Sequence, residues 1–535
     1  MDTETDLSPR RPPRRRRLLV SGLAAVPALA AAGAGGAGVL WARADVNTVG
    51  RVRFRNRLAV PPLAPSRTDG RGRRVFELRA GAGRTRILPG AATPTWGFGQ
   101  SVLGPTLRAA RGETVLVNVR NTLRETTTVH WHGMHLPAAM DGGPHQPIAP
   151  GGTWSPSWTV DQPAATLWYH PHPHGATARH VYRGLAGLFL VDEPDGPGGG
   201  LPSRYGVDDV PVIVQDRTFG DGNRLVEDQP LVGGIGLLGD TILVNGTYAP
   251  FFDATTRRVR LRILNGSNAR TYRFALSDGR PFALVGTDGG LLAAPHETDH
   301  VRLSPAERAE IVVTLRPGER VVLRSAAPEL GAGTWTNRFT GGDDAFDVLE
   351  LRAADRLGAS PDLPGELAAA PALARPGASG RVDREFALAG FSINGRTMDM
   401  SRIDFGSPRG ATEIWEVYNQ EGKPHNFHVH ASSFQVLSVD GAAPPPELRG
   451  WKDTVYVAPK SRVRIAVRFD VAPDPATPFM YHCHLLYHED QGMMGQFVVT
   501  GPGQTPASGV PHGGHGGHGG EHGGGHGSEH GGEHG

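Results

Sequence analysis

Tyr481-His482-Cys483-His484-Leu485-Leu486-Tyr487-His488-Glu489-Asp490-Gln491-Gly492-Met493 holds the only cysteine in 535 residues. A lone thiolate with two histidines and a methionine within reach is the donor set of a blue-copper electron-transfer site. The single thiol therefore reads as a metal ligand. In extended chain, alternate side chains face opposite ways, so His482 and His484 point away from Cys483. One segment can then touch two metal centres at once.

Three further histidine groups extend this reading. Thr128-Val129-His130-Trp131-His132-Gly133 and Trp168-Tyr169-His170-Pro171-His172 each carry a pair at the period-2 spacing of one strand face. The third group is His425-Asn426-Phe427-His428-Val429-His430. Grouping His425 with Cys483, His488 and Met493 leaves eight histidines as four X-His pairs: 130/132, 170/172, 428/430 and 482/484. Eight imidazoles are enough for a three-copper cluster, and imidazole with soft sulfur suits a metal cycling between Cu(I) and Cu(II).

With Leu103-Gly104-Pro105, Asp141-Gly142-Gly143-Pro144, Asp161-Gln162-Pro163-Ala164-Ala165-Thr166 and His488-Glu489-Asp490 through Gly492-Met493-Met494, these motifs resemble the multicopper oxidases. The likeness is to the bacterial copper efflux oxidase and laccase-like branch, from about Arg51 to Thr500. The resemblance implies four coppers. His425, Cys483, His488 and axial Met493 would hold the type 1 ion, and His130 with His428 the type 2 ion. His132, His170, His172, His430, His482 and His484 would hold the type 3 pair. It also implies that Asp141 and Glu489 act as catalytic proton donors behind the ligands. Electrons taken one at a time near His425 and His488 would pass through Cys483 to the cluster, where four reduce O2 to two waters.

Other histidines read as structural: His174, which extends the second motif, with His135, His145 and His180. Only His296 and His300 occur between His180 and His425, which implies a middle domain without copper. Domains usually hold roughly 100 to 150 residues, so the length fits three. Joins appear as a Gly/Pro-rich stretch at Asp195–Pro202 and an Ala/Pro/Gly-rich one at Arg352–Gly380. Short alternating or apolar runs, such as Thr114–Val119, Arg257–Leu264 and Arg462–Phe469, predict many strands and β-sandwiches. The expected fold is all-β. The resemblance makes it three cupredoxin-like Greek-key sandwiches at 45–195, 196–355 and 356–505, with the cluster between the first and third.

The two ends read differently. Arg14–Arg17 before Leu18-Leu19, then an Ala/Gly-rich stretch ending in Ala42-Arg43-Ala44, fit a twin-arginine signal in residues 1–44, cleaved after Ala44. An uncleaved membrane anchor is the alternative. Export predicts an extracytoplasmic protein in the periplasm, in the cell wall or secreted, with no stable span once cleaved. Residues 506–535 form a His/Gly-rich tail holding His512, His515, His518, His522, His526, His530 and His534. Its glycine content precludes a stable helix, and copper capture and simple solvation both remain open. The net charge of +2 includes the Arg-rich start, so nucleic acid is not an expected partner.

Expected partners are O2 and a small reductant, whether a phenol, Cu(I) or Fe(II), acting on a monomer. The chain has only eight methionines and none in Arg384–Ile393, where copper efflux oxidases carry a methionine-rich insertion. That departure points towards phenols, and Glu421, four residues before His425, is placed to meet a cation or a phenol hydroxyl. A copper nitrite reductase would lack the histidines flanking the cysteine and usually has two domains. A copper-sequestering protein acting through the tail is the other alternative.

Overall fold

The computed structural model describes residues 41, 44–193, 199–230, 232–374 and 381–510. The twin-arginine stretch, Ala42 and Arg43 of the cleavage pattern, and the tail histidines lie outside them.

The predicted strands form close to their expected limits, as Thr114–Asn121, Arg258–Asn265 and Arg462–Arg468. Each alternates or runs apolar with buried Val, Leu and Ile, the pattern of strands with one or both faces covered. They assemble into six sheets, two to a sandwich, giving three cupredoxin-like Greek-key β-sandwiches. One sheet of the first sandwich ends on the strand His130–His132, paired with Ala165–His170 so that His132 faces Trp168 and His170 faces His130. In the third, His425–Val429 pairs with Asp474–His482, bringing His428 opposite His482. The histidine motifs of the two outer sandwiches are thus turned towards each other.

Two local departures from a uniform strand reading matter. The strand Ala165–His170 stops at His170, because Pro171 has no N–H to continue the ladder, and His172 is fixed by a bond from its main-chain N–H to Thr128 Oγ1. Asp474–His482 likewise stops before Cys483, whose N–H bonds the Met493 carbonyl. Leaving the ladder lets each motif send its two rings to different neighbours.

The middle sandwich has its own apolar core around Val212, Leu261, Phe274 and Ile311. Residues 44–58 run along it, and Asn56–Arg57 pairs in parallel with Pro250–Phe251. The strand Phe346–Gly358 continues through residues 352–358, the start of the stretch read as the second join. Among the described residues, no helix is long and apolar enough to cross a membrane.

Candidate metal centre

Eight imidazoles meet where the first and third sandwiches face each other, all 0–1% exposed. Their arrangement has a pseudo-two-fold character. His130 stacks on His430 with centroids 3.9 Å apart, and His132 stacks on His428 at 3.8 Å. The remaining four complete two triads, each drawn from both sandwiches. His172, His430 and His482 converge, with the Nε2 atoms of His172 and His430 each 3.2 Å from His482 Nε2. His132, His170 and His484 form the other, with centroids 5.0 to 5.5 Å apart. His130 and His428 lie beside both, and each has a buried Nε2 without a hydrogen-bond partner.

The hydrogen-bond roles leave lone pairs facing lone pairs. His430 Nδ1–H donates to Asp141 Oδ2 at 2.8 Å and His482 Nδ1–H to the Cys483 carbonyl at 3.2 Å. A neutral imidazole that donates from Nδ1 has only a lone pair on Nε2. Protonation does not relieve the conflict. Burial pushes His482 down to about 3, and burial with neighbouring rings holds His132, His170, His172, His428, His430 and His484 well below the usual range. A buried cluster of unprotonated nitrogen donors aimed inward is suited to cations.

The second site repeats the logic with sulfur. Cys483 Sγ lies 3.6 Å from His425 Nδ1 and 3.7 Å from His488 Nδ1, and the two nitrogens are 3.1 Å apart. His488 Nε2–H donates to the Gly234 carbonyl at 2.9 Å and His425 Nε2–H to Glu421 Oε1 at 2.7 Å, so both Nδ1 atoms carry lone pairs. Burial holds His488 down at about 3 and pushes the Cys483 thiol up to about 12. A thiolate there needs a bound cation. Met493 is fully buried alongside, its carbonyl accepting the Cys483 N–H at 3.1 Å. The main chain joins Cys483 directly to His482 in one triad and His484 in the other.

Asp141 and Glu489 are 1% exposed and lie against the rings. Besides its bond from His430, Asp141 accepts from His130 Nδ1 through its main-chain carbonyl at 2.9 Å, while Oδ1 stays unpartnered. Gly142 after it has φ +77°, and a Cβ there would overlap the Val129 carbonyl. Only glycine lets this loop lie on the strand that carries His130. Glu489 stands between two outer nitrogens of one triad, 3.3 Å from His172 Nδ1 and 3.3 Å from His482 Nδ1. Burial, then the Asp490 carboxylate beside it, raise its pKa well above the carboxylate range.

The sequence reading missed Asp453, the pseudo-symmetric counterpart of Asp141. Its carbonyl accepts from His428 Nδ1 at 2.8 Å and its Oδ1 from His132 Nε2 at 3.1 Å. It is fully buried and paired with Arg308 of the middle sandwich. The one local signal was Gly133, directly after His132. At φ +84°, a Cβ there would lie 2.7 Å from Asp453 Oδ2 and 2.8 Å from Arg308 Nη2.

Three of the other histidines have bonds of their own. His135 Nε2 meets Ser433 Oγ, His145 Nε2 meets Gln496 Oε1, and His180 Nδ1 meets Thr127 Oγ1. His174 is exposed and belongs to none of the clusters.

Burial of so many neutral imidazoles makes acid sensitivity a property of the metal-free chain. An unfolded imidazole titrates near about 6.5, whereas His180, His482 and His488 stay unprotonated down to about 3. As pH falls between those values, the unfolded chain takes up protons that the folded chain refuses, so stability drops. The melting temperature of the metal-free chain should fall from pH 7 to pH 5. A flat profile would show that the rings are not buried neutral.

Comparison with known proteins places this arrangement. Three sequence models, each described as multicopper oxidase, match residues 80–196, 209–322 and 371–502. A multicopper oxidase of Staphylococcus haemolyticus is 35% identical over 456 residues, covering 83% of this chain and 93% of the relative. A cell division protein FtsP of Xenorhabdus nematophila is 36% identical over 453 residues, covering 84% and 93%. The crystal structure of a laccase from Pediococcus acidilactici superposes with a TM-score of 0.74 at 37% identity, covering 84% of this chain and 94% of that one.

Proposed function

Because the chain belongs to the multicopper oxidases, an oxidoreductase family that uses four coppers, we propose that it oxidises phenols and Cu(I) one electron at a time and reduces O2 to water. His425, Cys483, His488 and Met493 hold the type 1 ion, and His130 with His428 the type 2 ion. His132, His170 and His484 hold one type 3 ion, and His172, His430 and His482 the other. Once bound, the type 1 copper would accept electrons one at a time, and together with the three coppers of the cluster it would supply the four electrons that reduce O2 to water. The observation that carries this reading is the convergence of unprotonated donor atoms at both sites.

The chain's own groups supply the rest. Cys483 links the two sites through single residues on either side. Asp141 and Glu489 are the acids that deliver protons to the reduced oxygen, because a neutral ligand imidazole is a far weaker acid than a carboxyl group and keeps its remaining N–H. A role without redox chemistry would not call for this complete donor set. The working units are residues 45–195, 196–355 and 356–505. The chain is exported by the twin-arginine route, works outside the cytoplasm as a monomer and contributes to copper tolerance.

Two features support phenols as reductants. The hairpin of Arg384–Ala389 and Ser392–Ile393 turns at Phe391, whose ring packs 5.3 Å from His488, and no methionine stands there. On the other edge, Glu421 is part-exposed on His425. Burial raises the Glu421 pKa, but the hydrogen bond from His425 and the charge of Lys423 outweigh it and hold the carboxyl below its usual range. Glu421 is therefore an anion at neutral pH, able to accept a phenol proton as the electron leaves.

The test compares phenol and Cu(I) turnover of fully copper-loaded protein with and without excess Cu(II). Both substrates should be oxidised and phenol turnover should not need the excess. A strict requirement would reveal a copper-binding lid. Removing residues 511–535 should leave phenol turnover intact and lower Cu(I) oxidation only at limiting copper.

A further inference from the structure

Asp141 and Asp453 mirror each other at the cluster, yet only Asp453 is gripped by a cation. Arg308 begins the strand Arg308–Thr314 of the middle sandwich and is fully buried. A guanidinium has five N–H donors in a fixed planar fork, and Arg308 uses all of them. Nε donates to the Thr166 carbonyl of the first sandwich at 3.0 Å. Nη1 donates to the Ala306 carbonyl at 3.1 Å and to Asp453 Oδ1 at 2.8 Å. Nη2 donates to the Asp288 carbonyl at 2.9 Å and to Asp453 Oδ2 at 2.6 Å. One side chain thus ties the three sandwiches together beside the cluster.

What Asp453 touches gives this grip a chemical meaning. Five cluster rings are anchored through Nδ1 to protein oxygens: His130 and His430 on Asp141, His170 on Pro171, His428 on Asp453 and His482 on Cys483. Their Nε2 atoms are the ones left to face a metal. His132 is reversed. Its Nε2 is anchored on Asp453 Oδ1, and its Nδ1 faces inward, 3.4 Å from His170 Nε2. The partner of a ring's outer nitrogen fixes its tautomer and orientation.

We propose that Arg308 is a positioning residue for the copper cluster: by clamping both oxygens of Asp453, it holds His132 in the reversed orientation that presents Nδ1. The sandwich without copper ligands thereby sets the geometry of one of them. The neighbourhood is organised to the same end. Asp288 Oδ1 accepts the Arg308 main-chain N–H at 2.7 Å, and Lys452 Nζ bridges Asp288 and Glu307 at 3.0 and 2.8 Å. The clamp is therefore braced on the backbone and on a second buried ion pair. This inference rests on His132 being a ligand, as assigned above.

The experiment uses the copper-loaded full chain carrying Arg308→Met, Arg308→Lys or Asp453→Asn. Lysine keeps the charge but lacks the two-pronged fork. In Arg308→Met the blue absorption should be unchanged, while the type 2 EPR signal and the near-ultraviolet band of the paired ions shift. Competition with a chelator should show about 10- to 100-fold weaker retention of cluster copper, the usual loss when an outer partner of a ligand is removed. Arg308→Lys should fall between Met and parent. Asp453→Asn should reproduce the Met spectra, and the double variant should be no worse than either single one.

Unchanged cluster spectra and retention in Arg308→Met, with only a lower melting temperature, would reduce Arg308 to a structural tie and overturn the proposal. Should the Met variant fail to fold, Arg308→Lys decides by the same readouts. His132→Ala separates the premise from the inference. If it leaves cluster copper and its spectra intact, the ligand assignment fails and not merely the role of Arg308.

Discussion

Cys483→Ser should abolish the blue absorption and the oxidase activity together, while the eight-histidine cluster still takes up copper. The serine hydroxyl is a hard, weakly acidic donor and cannot replace a soft thiolate between His425 Nδ1 and His488 Nδ1. It also removes the sulfur from the only route in which one residue separates the two sites, since His482 and His484 are its chain neighbours. Fold should survive, because Cys483 is one small buried group in a large apolar core. The measurements are the visible spectrum, copper stoichiometry and phenol-dependent O2 uptake. A variant that stays blue, or consumes O2 at the parental rate, refutes the assignment.

The second large effect is expected at the buried acids. Glu489→Gln and Asp141→Asn should slow reoxidation by O2 by about 10²- to 10⁴-fold, the range a positioned general acid contributes. Both amides keep the shape of the side chain but carry no transferable proton. Copper content should be unchanged, and anaerobic reduction of the blue site by phenol should stay fast. The raised pKa of Glu489 adds a pH signature. Its carboxyl holds its proton to higher pH than an ordinary carboxylate, so the parental rate should decline as rising pH removes that proton, and Glu489→Gln should lose that decline. Reoxidation of both variants at the parental rate would make these carboxylates bystanders.

Legibility in the sequence followed the range of the interactions. Histidines two residues apart and a cysteine five residues before His488 record local geometry, and all twelve predicted donors lie in the two clusters or beside them. Glu489 and Asp141 were visible because each sits in a motif. Asp453 was not, because it lies between Lys452 and Thr454, away from any histidine motif, and reaches His132 only through the meeting of two sandwiches. Arg308 was less visible still, one arginine among many on an apolar strand. The division of the histidine pairs between triads also could not be read from spacing. It depends on strands that stop at His170 and His482, and on Pro171, whose missing N–H ends one ladder.

The crossed stacking of His130 on His430 and His132 on His428 makes the cluster a coincidence detector. Each triad draws rings from both ends of the chain, so neither sandwich can assemble an oxygen-reducing site alone. A growing chain that has not yet reached His484, or one cut between the outer sandwiches, has at most half-sites that bind copper loosely. The chemistry that generates reduced oxygen is thereby withheld until the whole polypeptide has been made and folded. Completion of the protein acts as its own licence for metal-driven oxidation.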